Sequence, residues 1–130
     1  MWLEGANIML RRYTIIGSIN MLLSVALGAF GAHVMKGFLT PERMATFETA
    51  VQYHMAHALG LLLIAILADK LADQKKVALS ARLIWIGIIV FSGSLYLLCF
   101  TGIKMLGAIT PIGGVAFIAG WLMLALAARR

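Results

Sequence analysis

The sequence predicts an all-α membrane protein: four transmembrane helices in a compact bundle, with both termini on the same side. Composition and patterning predict it together. Hydrophobic residues make up 62% of the 130-residue chain and charged residues only 12%, against about 45–50% and about 25% in an ordinary soluble domain. Four apolar runs, at about residues 13–34, 47–68, 83–100 and 110–128, are separated by short polar connections. A crossing takes roughly 20 mostly apolar residues, so four crossings make residues 1–130 a single transmembrane domain with no room for a separate soluble one.

The net charge of +6 does not point to nucleic acid, which needs Lys and Arg clustered on one soluble face. Here the basic residues lie between apolar runs, where they act as topology signals. The N-terminus, the middle connection and the C-terminus carry Arg11, Arg12, Lys70, Lys75, Lys76, Arg82, Arg129 and Arg130. The opposite side carries Lys36, Arg43 and Lys104. Eight against three places both termini in the cytoplasm of a cell-membrane protein. The lone Cys99 excludes an intrachain disulfide and reads as a small buried hydrophobe.

The chain opens with a polar-to-mixed lead that ends at Arg11-Arg12. The apolar run that follows is too long for the core of a signal peptide and reads as a retained first span. Ser24, Gly28 and Ala32 recur at four-residue spacing, which lets helices approach closely in lipid. Asn20 needs a hydrogen-bond partner there, and His33 closes the span. Thr40-Pro41-Glu42 predicts a helix start: a Thr cap, Pro at the first helical position, and an acid near the positive end of the dipole. From Pro41 to Ala68 that helix would run about 40 Å, longer than the hydrocarbon thickness, so Glu48 falls near the interface. Residues 69–82 read as a solvated connection with room for a short surface helix. The third span carries Phe91-Ser92-Gly93-Ser94-Leu95-Tyr96, and Thr110-Pro111 predicts the start of the fourth.

With alternating spans, His33, the 48–57 stretch, Ser92–Tyr96 and Thr110–Gly114 all fall in the outer half of the membrane. Polar side chains inside a bilayer are expensive and mark sites or interhelical bonds. The predicted polar pocket is formed by His33, Tyr53, His57, Ser92, Ser94, Tyr96 and Thr110. At about 100° per residue, Tyr53, His57 and Gly60 share one stripe, and His54 lies about 60° from His57. That spacing predicts Tyr53 and His57 facing the bundle, His54 at its flank, and a larger effect of mutating His57 than His54. Such a pocket would bind or pass a small ligand, lipid headgroup or ion without catalysis. The alternative is a metal- or haem-binding redox or enzymatic protein using His33 and His57, since imidazole suits several metals. No cofactor is specified by any motif. No His-Glu-x-x-His or Cys pair is present, and no base is set beside Ser92 or Ser94 by a recognisable motif. The lipid bilayer is the partner, with a homo-oligomer expected because four short helices bury little.

Gly28-Ala29-Phe30-Gly31-Ala32-His33, Tyr53-x-x-x-His57-Ala58-Leu59, Phe91-Ser92-Gly93-Ser94-Leu95-Tyr96, Thr110-Pro111-Ile112-Gly113-Gly114 and Gly120-Trp121 follow one another in this order. Together they resemble the YgdD/YwdK-type family of small bacterial membrane proteins, a domain of unknown function with a mitochondrial-membrane relative in animals, and its Gram-positive branch most of all. The resemblance covers nearly the whole chain. It implies a four-helix integral membrane protein of this length, and it implies no activity, ligand or catalytic residue. Phe30, His33, Tyr53, His57 and the two glycine-rich motifs match the family's pattern, whereas His54 falls in its less regular part.

The topology has a direct readout. A fluorescent reporter that matures only in the cytoplasm is expected to light up at the C-terminus, and alkaline phosphatase fused there to stay inactive. The reverse result would overturn the orientation.

Overall fold

A computed structural model describes residues 2–129, all helices and short connections, with no strand among the described residues. Met1 and Arg130, the latter counted in the charge balance, lie outside the described residues. Among the described residues, four helices are long and apolar enough to cross a membrane. The first runs over 2–35, its regular turns Trp2–Val25 and Ala32–Met35 joined by a π-helical segment, Ala26–Gly31. The second is Pro41–Leu67. The third runs over 74–101 and contains a second π segment, Ile88–Ser92. The fourth is Leu106–Ala128.

The first and third helices begin well before their apolar runs, for one physical reason. Ala6, Met9 and Tyr13 are buried at helical spacing and join Leu61, Ile64, Ala65, Val77 and Ala81 in the core near the termini. The lead is therefore the first turns of the first helix, with Arg11 and Arg12 on its exposed side. The region read as a solvated connection likewise yields a helix start at Gln74. Asp73 caps it, accepting from the Lys76 amide at 3.1 Å and from Lys76 Nζ at 2.7 Å. Those bonds hold the Asp73 carboxyl below its ordinary range, its side-chain bond to Lys76 being the largest cause. Val77, Ser80, Ala81 and Ile84 then bury one face at helical spacing.

The Thr-Pro starts divide. Thr40 does cap the second helix, its hydroxyl accepting from the Arg43 amide at 3.2 Å, with Pro41 at the first position. Thr110-Pro111 does not start the fourth helix, which begins at Leu106 and carries Pro111 inside it. Met105 to Ala108 already supply the first turn, so the Thr110 hydroxyl turns back to the Leu106 carbonyl at 3.2 Å instead of capping.

Packing runs in series: first helix on second, second on third, third on fourth. The first and fourth share no extended interface, so the second and third helices form the spine. Glycines set the closest approaches. A Cβ at Gly113 would sit 2.7 Å from the Phe91 Cα, main chain against main chain, and one at Gly28 would sit 2.9 Å from Val51 Cγ1. Tight approach of this kind is how helices associate in lipid, where no hydrophobic drive separates lipid from protein.

Gly113→Ala is accordingly expected to cost about 1–3 kcal/mol through overpacking. Gly93→Ala, with nothing within 4 Å of the added methyl, should be neutral or slightly stabilising. Unfolding in mild detergent checks the pair, and equal effects would refute the close approach.

Candidate functional site

The polar residues of the second helix meet partners on all three other helices. His54 lies between the first and third: its Nε2 is 2.9 Å from Asn20 Oδ1 and its Nδ1 is 3.0 Å from Tyr96 Oη. The Asn20 amide nitrogen donates to the Ile16 carbonyl at 2.8 Å, which leaves its oxygen as the acceptor. His54 must then carry its proton on Nε2, and its bare Nδ1 accepts from the Tyr96 hydroxyl. One neutral tautomer satisfies the whole chain of bonds.

His57 takes the opposite tautomer. The Trp121 indole donates to His57 Nε2 at 3.0 Å, and an indole nitrogen can only donate. Nδ1 therefore holds the proton and donates to the Tyr53 carbonyl at 2.8 Å. The imidazole stacks on Phe117 at 3.6 Å between centroids, tilted by 14°. Gly60 makes this possible, because any Cβ there would sit 2.8 Å from the Trp121 ring.

The hydroxyls complete the set. Ser92 and Tyr96, four residues apart, face the second helix, while Ser94 faces the fourth, as about 100° per residue requires. Ser92 Oγ donates to the Ala50 carbonyl at 3.0 Å, and Ser94 Oγ lies 2.6 Å from Thr110 Oγ1. Ser92 and Ser94 are both buried. Neither bonds to a histidine, so no nucleophile is paired with a base here.

The structure therefore brings His57, Ser92, Ser94, Tyr96 and Thr110 into interhelical contacts, and treats the remaining predicted positions differently. Tyr53 is 44% exposed, whereas His54 is 4% and His57 7% exposed. This corrects the face assignment. The buried residues Phe47, Ala50, His54, His57, Leu61 and Ile64 centre on the arc between the two histidines and leave Tyr53 at its edge. The reason is the serial packing: the second helix is covered by the first on the His54 side, whereas the Tyr53 side meets ring contacts from the third and fourth helices. There Tyr53 rests on Phe91 at 4.6 Å between centroids.

His33 is exposed near the end of the first helix, lining a shallow groove of about 270 Å³ with Lys36, Met44 and Glu48. Nine residues separate Glu48 from His57, about 14 Å along the helix, so His33 and His57 do not share a site. Among the described residues no three of His, Cys, Asp and Glu are grouped to hold a metal ion. Both nitrogens of each buried imidazole are engaged within the protein. Sequence reasoning left two partners out of the site. Asn20 was visible as an amide in hydrocarbon, and Trp121 as an indole whose N–H needs an acceptor.

The fold and its paired polar core define a small four-span membrane protein. The chain belongs to the family described as Protein of unknown function (DUF423), whose model matches residues 27–114. It is 53% identical over 116 residues to the UPF0382 membrane protein YwdK of Bacillus subtilis (strain 168), covering 89% of this chain and 94% of that protein. It is 45% identical to the UPF0382 membrane protein SH2409 of Staphylococcus haemolyticus, covering 88% and 93%. No solved structure matches.

His54→Ala would strand Asn20 Oδ1 and the Tyr96 hydroxyl together, at about 1–3 kcal/mol, so its effect should at least equal that of His57→Ala. Denaturant unfolding in micelles measures it. In a double-mutant cycle, Asn20→Leu and His54→Leu should couple by about 0.6–2 kcal/mol. Simple additivity would refute the bond.

Proposed function

We propose that this chain is a non-catalytic membrane module whose termini are cytoplasmic. It binds a small ligand, lipid headgroup or ion in the half of the bundle away from those termini. The observation that carries the reading is the closure of the polar core: both imidazoles have fixed neutral tautomers with both nitrogens occupied. A general base or a metal ligand would need one of those nitrogens free.

In this reading His57, Ser92, Ser94, Tyr96 and Thr110 hold the helices. Tyr53 and His33, which keep exposed surface, are left for ligand contact. The openings beside His33 and beside Arg43 lie away from the termini, while another, of about 550 Å³ beside Arg11 and Arg12, lies at the terminal end. The apolar windows of the first and fourth helices are only 17% and 22% buried, against 44% in the second. That imbalance supports self-association through the outer helices.

Elemental analysis and an absorption spectrum of the detergent-purified protein test the reading. No stoichiometric transition metal and no Soret band are expected. Either signal would overturn it in favour of a metal- or haem-binding protein.

A further inference from the structure

Building on the binding-module reading, we infer that the cavity between the second helix and the third-to-fourth connection takes a phosphate-bearing anion. Arg43 and Lys104 supply the charge. This opening holds about 430 Å³, with Thr40, Glu42, Arg43, Thr46, Gly102 and Lys104 in its wall. That volume suits a small ligand or headgroup.

Arg43 is built into place from both sides. Its carbonyl accepts from the Cys99 thiol at 3.3 Å, which ties its main chain to the end of the third helix. Its guanidinium lies over Gly102, where an added Cβ would come within 3.1 Å of Arg43 Cζ. Gly102 also has a φ of 72° and closes the third helix through its amide bond to the Leu98 carbonyl, 2.9 Å long. Glycine is thus required twice, once for the left-handed turn and once for the space the guanidinium fills.

For all this positioning, the side chains of Arg43 and Lys104 have no hydrogen bond or ion pair among the described residues. A guanidinium offers five donors in a planar fork matched to phosphate oxygens. With Glu42 in the same wall, two cations and one carboxylate leave a single positive charge. A singly charged phosphodiester matches that balance better than a doubly charged monoester. The rim points to the source. Phe100, Ile103 and Met105 are exposed beside Lys104, at 52%, 55% and 75%, and apolar side chains flanking a cation at a helix end belong at the level of lipid headgroups.

The test is native mass spectrometry of the delipidated full-length protein. It is titrated separately with a short-chain phosphatidylglycerol, with glycerophosphoglycerol, with inorganic phosphate and with a neutral diacylglycerol. The phospholipid is expected to bind at one site, and Arg43→Gln to weaken it about tenfold, the worth of one charge-assisted bond. Lys104→Gln should weaken it less, and Arg43→Lys should restore it only in part, because the fork is lost. Lys75→Gln, exposed at the opposite end of the bundle and outside this opening, should change nothing. Thermal unfolding of each variant, expected unchanged because both cations are exposed, separates lost binding from lost fold. Arg43-dependent binding of the soluble phosphates without the lipid would keep the anion site and assign it to a free phosphate compound. Phospholipid binding insensitive to Arg43→Gln would overturn the inference, as would no binding of any phosphate compound. If the neutral diacylglycerol alone bound, the inference would fail while the broader binding reading survived.

Discussion

The structure depends on one constraint: a polar side chain in the hydrocarbon of a bilayer has no water to turn to. His54 answers it by joining three helices at once, taking the Tyr96 hydroxyl on one nitrogen and giving its proton to Asn20 on the other. Each partner is specific in sign, because Asn20 is already committed to the Ile16 carbonyl. A hydrogen bond in lipid contributes only about 0.6–2 kcal/mol, so the effect on stability is modest. Its effect on geometry is larger. Sliding the second helix by one residue would swing His54 through about 100° and leave three groups unsatisfied.

The two ends of the molecule solve the packing problem differently. Near the termini the contacts are apolar, with Ala6, Met9, Tyr13, Ile64, Val77 and Ala127 in one cluster. Such contacts bury area without fixing register, since neighbouring apolar rows are nearly equivalent partners. In the other half, Ser92 reaches Ala50, Ser94 reaches Thr110, and Cys99 reaches the Arg43 carbonyl. The π segment Ile88–Ser92 sits where these regimes meet. A π turn locally widens a helix and shifts the faces beyond it. The ties beyond this one point to the second helix from Ser92 and to the fourth from Ser94.

Much of this was legible in the sequence because the signals were one-dimensional. Length and apolarity specify four spans, and Thr40-Pro41 specifies where the second begins. The convergence of polar motifs in one half follows from alternating direction alone. What was not legible is which helix lies beside which. The stripe through Tyr53, His57 and Gly60 is real, since Phe117 and Trp121 lie on it. It is one margin of the buried face, not its centre. Placing the centre needs the knowledge that the first helix covers the His54 side, and nothing in the second helix's own sequence encodes that. Thr110-Pro111 failed for a related reason: a local start signal was overridden by helix-forming residues just before it. His33 stands on an exposed part of the first helix, and position around the bundle is something alternating direction alone does not encode.

The interhelical ties also bear on what the far end can do. Arg43 stands at the start of the second helix, and Lys104 follows the end of the third. Ser92 and Tyr96 join those two helices along their distal turns, and Ser94 joins the third to the fourth through Thr110. The spacing of the two cations is therefore set by bonds buried in the membrane, before any anion arrives. A site assembled in advance loses little freedom on binding. A long, exposed guanidinium would normally forfeit much of its interaction energy to ordering, but here Gly102 has already restricted it. The buried histidines need not touch a ligand to matter for one. By fixing the register of the helices, they fix the distance between charges that lie several turns away.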